Sequence, residues 1–259
     1  IEKAFRGSAP AQINVPRDYW TQVIDIELPP IVRFERQGGG KEAIENAANL
    51  LSKAKFPVIL SGAGVVLGGA IDECKKLAEK LDAPVCNGYQ HNDSFPGTHP
   101  LAVGPLGYNG SKAAMELISK ADVVLALGTR LNPFSTLPGY GIDYWPKKAT
   151  IIQVDMNPDR IGLTKKVSVG ICGDSKQVAQ QILEKLSSDA GDTGREERKN
   201  LIHKTKSAWL QTLSGLDHEE DDPGTVWNKE ARERDKDRMS PRQAWRAIQD
   251  ALPQEAIIS

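Results

Sequence analysis

Five short runs, nearly all of them apolar, set the tightest limit on what this chain can fold into. They are "FPVILSGAG" from Phe56, "APVCN" from Ala83, "DVVLALG" from Asp122, "ATIIQVD" from Ala149 and "KVSVGICGD" from Lys166. A strand with one wet face alternates apolar and polar residues, and these runs do not alternate. Strands that are apolar on both sides belong in a parallel sheet covered on both faces. Between and around them lie segments of helical period. "KEAIENAANLLSKAK" puts Ala43, Ile44, Ala47, Leu50 and Leu51 on one face, and "GAIDECKKLAEKL" does the same with Ile71, Cys74, Leu77, Ala78 and Leu81. "SKAAMELISKA" opens on Ser111 as an N-cap, and "KQVAQQILEKL" on Asp174 or Ser175. Strands alternating with helices predict an α/β fold, a doubly wound, mainly parallel Rossmann-like sheet.

The flanks differ in character. Ala11–Val15 reads as a short strand stopped by Pro16, and residues 18–40 as extended chain with Pro29-Pro30 and a glycine triplet at 38–40, a linker pattern. Residues 87–105 read as one long loop. Beyond Ser187 the chain turns polar, with helical spacing in "HKTKSAWLQTL", an acidic loop "GLDHEEDDPG" and a mixed-charge run "KEARERDKDR". "SPRQAWRAIQDAL" opens as a helix should, with Ser240 at N-cap and Pro241 at N1, and Ala244, Trp245, Ile248 and Leu252 on its inner face. Three divisions are expected, at 1–40, 41–188 and 189–259. The absence of an initiator Met, and a half-strand "AIIS" at the other end, read as interior points of a longer polypeptide.

Composition removes several function classes. The 259 residues carry a net charge of -1, with 39% hydrophobic and 26% charged residues, so no basic field for nucleic acid or acidic lipid exists. No apolar run approaches the ~20 residues that span a bilayer. Cys74, Cys86 and Cys172 form no C-x-x-C pair and sit in or beside apolar segments, which reads as buried thiols in a reducing cytoplasm.

In an open parallel sheet, ligands bind outside the carboxyl ends of the strands. There the sequence places Gly62 and Gly64, then Gly128, Thr129 and Arg130, then Asp155, then Asp174; Gly107 and Gly110 precede the Ser111 cap. Glycine lets backbone N–H groups approach a phosphate, Arg130 suits a bidentate contact, and Asp155 suits a ribose hydroxyl. The same residues serve equally as turn formers and caps. "SGAG" lacks the third glycine of a dinucleotide fingerprint. His91 and His99 share a loop with Asp93 at no metal spacing, and His203 and His218 lie in the polar tail. No nucleophile elbow, P-loop or catalytic pair stands out, so the catalytic and metal sets are empty.

Taken in order, these segments resemble the thiamine-diphosphate enzymes of the acetolactate synthase and pyruvate oxidase superfamily. "PAQINVPRDYW" resembles the close of their first, pyrimidine-binding domain. "KFPVILSGAGV", "GPLGYNGSKAAMELISKADVVLALGTRLNPF", "IIQVDMNPDRIG" and "VGICGD" resemble their central domain, and "MSPRQAWRAIQDALPQEAIIS" the start of their diphosphate-binding domain. Within that superfamily, "LGYNGSKAAM", "ALGTRLNPFSTLPGYGIDYWP" and "KKVSVGICGD" resemble the sulfoacetaldehyde acetyltransferases. Acetolactate synthases carry acidic residues and a further arginine after the position of Arg130, where this chain has Leu131-Asn132-Pro133-Phe134.

The resemblance implies thiamine diphosphate and magnesium held outside this chain, sulfoacetaldehyde and phosphate as substrates, and acetyl phosphate and sulfite as products. It also implies a cytoplasmic homodimer or homotetramer as the parent. No net electron exchange occurs, so FAD has no chemical task, and the glycine and Arg130 cradle becomes an inherited, empty nucleotide site. Residues 87–105 and 131–145, with Tyr89, Phe95, Phe134, Tyr140, Tyr144 and Trp145, are candidates for active-site lining or domain contacts. Two other readings stand beside this one: an FAD- or ADP-binding central domain of an acetolactate synthase-like enzyme, and a stand-alone interaction domain.

Overall fold

The computed structural model describes residues 9–28, 35–217 and 241–253, with the single residues Ala4, Pro30, Met239 and Ala256. It divides into two compact units, Ile1–Thr205 and Lys206–Ser259.

The first unit holds a six-stranded sheet: β1 Pro57–Ser61, β2 Val85–Asn87, β3 Ala102–Pro105, β4 Val123–Leu127, β5 Thr150–Asp155 and β6 Val169–Cys172. Their order is β3-β2-β1-β4-β5-β6, and every pairing is parallel. Ile59 stands opposite Val85 on one side and Leu125 on the other, and Leu125 opposite Ile152. β1 and β4 are buried along their whole length, as a sheet covered on both faces requires. Helix α5 Ser175–Lys185 packs against both α1 Lys41–Lys53 and α3 Ile71–Leu81 over the sheet, and α4 Lys112–Ile118 packs on β2 and β3. The short helix α2, Ala63–Leu67, follows β1 directly. The two expected caps form. Ser111 Oγ accepts from Ala114 N–H, and Asp174 Oδ1 accepts from Lys176 and Gln177 N–H.

Three expectations are corrected. The long loop at 87–105 contains a sixth strand, β3. A proline and a glycine hide it in the sequence, and it tolerates them because it sits on the sheet edge and pairs on one side only. Ala11–Val15 is exposed and makes no strand, because a strand needs a ladder partner and none lies among the described residues. The glycine triplet is fastened rather than free: Gln37 O accepts from Asp174 N–H (2.7 Å), Gly38 O accepts from Gln181 Nε2 (2.9 Å), and Arg36 pairs with Asp174 (2.8 Å). As the sequence suggests, no α-helix joins β4 to β5; only the 3-10 turn Pro133–Ser135 lies there. Residues 128–149 cover the sheet instead, burying Leu131 and Tyr144.

The segment read as a polar tail supplies a core residue. Helix α6 runs Arg195–Asp217, and its Arg198 is 1% exposed. All five of its N–H donors meet backbone carbonyls. Nε reaches Asp82 O; Nη1 reaches Lys55 O and Thr193 O; Nη2 reaches Leu81 O and Gly191 O. Leu81 and Asp82 end α3, and Lys55 lies just past α1, so the cation sits at helix C-termini, where it complements their unpaired carbonyls. Desolvation pushes the guanidinium pKa down, and Asp82 nearby opposes this.

The second unit contains the rest of α6 and helix α7, Pro241–Ala251. Pro241 opens α7 as expected, whereas Trp245 and Ile248, expected on an inner face, are exposed. They find no covering layer among the described residues. Ser240, His218 and most of the acidic and mixed-charge runs lie outside the described residues.

Replacing Arg198 by Ala takes a donor from five carbonyls, of which Gly191 O keeps a second one from Arg195 Nε. The α/β unit is expected to lose about 3–5 kcal/mol, and Arg198→Lys, with three donors in place of five, somewhat less. Urea unfolding followed by circular dichroism measures both; a loss under about 1 kcal/mol would show that the clamp is dispensable.

Candidate functional site

A cleft of ≈ 280 Å³ opens at the carboxyl ends of the strands, where the strand order reverses between β1 and β4. It lies at the position where open α/β sheets bind ligands. The cleft brings together six of the predicted residues, Gly62, Gly64, Gly128, Thr129, Arg130 and Asp155. Gly107, Gly110 and Asp174 fall outside its lining. Gly107 faces the backbone of Phe134, where a Cβ would come within 2.2 Å of the carbonyl oxygen. Gly110 packs on its own loop, and Asp174 is spent on the α5 cap and the Arg36 pair.

The glycines at the floor hold loop against loop. Gly62 N–H donates to Leu127 O (3.1 Å), and Gly64 N–H to Gly128 O (2.8 Å). A Cβ on Gly64 would lie 2.6 Å from Gly128 Cα; one on Gly128, at φ 62°, would lie 2.7 Å from Gly64 C. The glycine pattern therefore serves close backbone approach, and the two N–H groups that a phosphate cradle would use are already bonded.

The wall after β2 belongs to the 87–105 segment expected to line a site or make domain contacts. Residues Gly88–His91 line the cleft, held from behind by a buried polar network. Ser94 Oγ donates to His91 O (2.7 Å) and accepts from Asn87 Nδ2 (3.0 Å), with Ser61 Oγ 2.7 Å away. Ser135 ties this wall to the β4 side: its Oγ accepts from Tyr89 N–H (3.2 Å), and its carbonyl accepts from the buried Tyr144 hydroxyl (3.4 Å). Burial pushes the Tyr144 phenol up to about 12 against a hydrogen bond with the Gly107 backbone, and Cys86 adds to the rise. Of the aromatics expected to line the site or make contacts, Phe95 and Tyr144 are core, Trp145 is partly buried, Tyr89 lines the cleft, and Phe134 and Tyr140 are exposed.

Charge is concentrated on the β4–β5 side. Arg130 and Arg160 both line the cleft, and neither guanidinium has a hydrogen-bond or ion-pair partner among the described residues. Arg160 was missed in sequence, although it follows β5 as Arg130 follows β4. Asp155 Oδ1 accepts from Asn157 N–H (2.9 Å). The thiols are poor nucleophiles. Burial raises Cys74 to about 12 and Cys86 further, and Cys172 is also pushed up. No group of three or more His, Cys, Asp or Glu able to hold a metal ion occurs among the described residues.

The family model for the central domain of thiamine pyrophosphate enzymes matches residues 44–182, the sheet and its helices. The chain belongs to this family. The thiamine pyrophosphate enzyme central domain thus accounts for the six-stranded parallel sheet. A probable sulfoacetaldehyde acetyltransferase of Rhizobium meliloti is 78% identical over 100% of this chain and 44% of its own length. A sulfoacetaldehyde acetyltransferase of Roseovarius nubinhibens is 74% identical over 100% of this chain and 43% of its own. The chain spans less than half the length of these relatives. The crystal structure of a benzoylformate decarboxylase from Polynucleobacter necessarius aligns with 69% of this chain and 33% of its own, at a TM-score of 0.58 and 23% identity, which speaks to the fold alone.

Two outcomes follow from the geometry of this central domain. Gly128→Ala is expected to cost about 1–3 kcal/mol more than Gly141→Ala, since both have positive φ but only Gly128 lacks room. Thermal unfolding of the two variants compares them; equal losses would mean that the loops relax apart. Tyr144 keeps its proton in the fold between its ordinary value of 10.0 and about 12, whereas the unfolded chain releases it. Stability from this group is therefore complete below pH 10 and lost as pH rises through about 12, by up to about 1.4 kcal/mol per pH unit. Tyr144→Phe should remove that part of the alkaline slope in unfolding measured from pH 9 to 12.

Proposed function

We propose that this chain is the architectural central domain of a thiamine-diphosphate-dependent acetyltransferase that converts sulfoacetaldehyde and phosphate to acetyl phosphate and sulfite. The carrying observation is 78% identity, along all of this chain, to a probable sulfoacetaldehyde acetyltransferase. In this reading residues 1–40 close the preceding domain, 41–188 form the central domain, and 189–259 lead toward the following one. Thiamine diphosphate and magnesium sit on the flanking domains. The central domain contributes rigidity: glycine-to-glycine loop contacts and the Ser135–Tyr144 lock leave little freedom at the carboxyl edge of the sheet, and the Arg198 clamp ties the turns that lead into β1 and β2 at its amino edge. The parent works as a cytoplasmic homodimer or homotetramer.

The full-length protein is expected to release sulfite from sulfoacetaldehyde only when phosphate and thiamine diphosphate are present, and the isolated chain to release none. Acetolactate formed from pyruvate, with no sulfite release, would replace this reading with an acetolactate synthase.

A second reading is favoured by the cleft at the strand-order reversal with two unpaired guanidinium groups. Here the central domain also binds a nucleotide there. ADP should then raise the melting temperature of the chain, and stoichiometric flavin absorbance in the purified protein would rule out a purely architectural role.

A further inference from the structure

The nucleotide reading leaves open which part of the cleft would hold the charged group, and the hydrogen bonds narrow it. The glycine side is largely spent, because Gly62 and Gly64 N–H groups are bonded to the end of β4, and Val65 N–H turns back to Gly62 O. The two cationic groups without a partner among the described residues lie on the opposite side, at Arg130 and Arg160. Behind them stands one buried amide. Gln153, the single polar residue between Ile152 and Val154 of β5, is 1% exposed. Its Nε2 donates to Thr129 O (3.1 Å) and to Arg160 O (3.2 Å), and its Oε1 accepts from Gly162 N–H (2.9 Å). The reversed amide would set an oxygen against two carbonyls, so this orientation is fixed by its partners. One side chain therefore joins the two loops that carry the two guanidinium groups.

The root of Arg130 is fixed from its other side as well. Leu131 is buried at φ 53°; its N–H donates to Thr129 Oγ1 (3.2 Å), and its carbonyl accepts from Thr164 Oγ1 (2.7 Å). A non-glycine residue held in this conformation is costly, and such strain persists only where the surroundings impose it.

We propose that the anion subsite of the cleft lies between Arg130 and Arg160, and that Gln153 is the residue positioning both for a phosphate group. Two guanidinium forks match a phosphate's oxygens, and fixing their backbones beforehand lowers the ordering cost of binding. Asp155 lines the same cleft and repels a second anion while accepting from a hydroxyl, which favours a phosphate carried on a hydroxylated group. His91, 3.9 Å from Asp93 through Nδ1, and Tyr89 are the other titratable side chains of the lining. The shared chemistry is a phosphate group, supplied either free or by a nucleotide.

This inference rests on the nucleotide reading, and calorimetric titration of the chain at low salt with inorganic phosphate, pyrophosphate and ADP tests both. Saturable binding is expected, weakened about 10-fold or more by Arg130→Ala and by Arg160→Ala. Gln153→Met should weaken it about 5–10-fold with both arginines in place. Gln153→Asn, one methylene short of spanning the loops, serves if the Met variant does not fold. Arg198→Lys is the control for lost stability alone and should bind as the parent chain does. Binding of free phosphate with this arginine dependence assigns the site to phosphate itself, and binding of ADP only assigns it to a nucleotide; either supports the subsite. Unchanged affinity in the Gln153 variants overturns the positioning role while the nucleotide reading survives. Unchanged affinity in both arginine variants overturns the subsite. No binding of any probe up to about 10 mM overturns this inference and the nucleotide reading together.

Discussion

A parallel sheet has no side that can face water, and the rest of this structure answers to that constraint. β1 and β4 are buried from end to end, so both faces need cover, and the chain crosses back over the sheet after every strand. Where a helix is available it does the covering, as α1, α3, α4 and α5 do. Between β4 and β5 none is, and Leu131 and Tyr144 on the long connection fill the same role. The crossovers all deliver their turns to the carboxyl edge. That edge is crowded, and glycine at Gly62, Gly64 and Gly128 is what lets two turns share it.

Crowding also decides what the edge can bind. The contacts that bring the β1 and β4 turns together consume the N–H groups that a glycine loop would otherwise offer to a phosphate. Binding capacity moves to side chains, and the two unpaired guanidinium groups stand on the β4–β5 side. The loops of this edge are tied to one another through Ser135, Tyr144 and Gln153. The same ties would hold a small anion at low ordering cost.

Much of the fold was legible in the sequence because it rests on local or periodic signals. Five strands showed as unbroken apolar runs, four helices as apolar stripes, and the Ser111 and Asp174 caps as residue types with a short-range hydrogen-bonding habit. β3 was missed because its Gly104 and Pro105 resemble loop residues, and only an edge position makes them acceptable in a strand. Six of nine predicted cradle residues meet in one cleft, since strand ends converge in any parallel sheet. The other three, Gly107, Gly110 and Asp174, carry the same residue types and serve packing and capping instead.

The sequence by itself determined the class of fold, the parallel direction of the strands and the edge on which a site can lie, because apolar pattern and strand–helix alternation decide these without reference to distant residues. Only the tertiary structure decided the fate of individual polar groups. Arg198 sits in a charged run and reads as solvated, yet it becomes a buried clamp because three distant carbonyl-rich turns converge on it. Gln153 reads as one polar residue in an apolar strand, yet it joins two loops that sequence leaves apart. A hydrogen bond between residues far apart in the chain leaves no periodic trace, so its partners are known only once the chain has closed on itself.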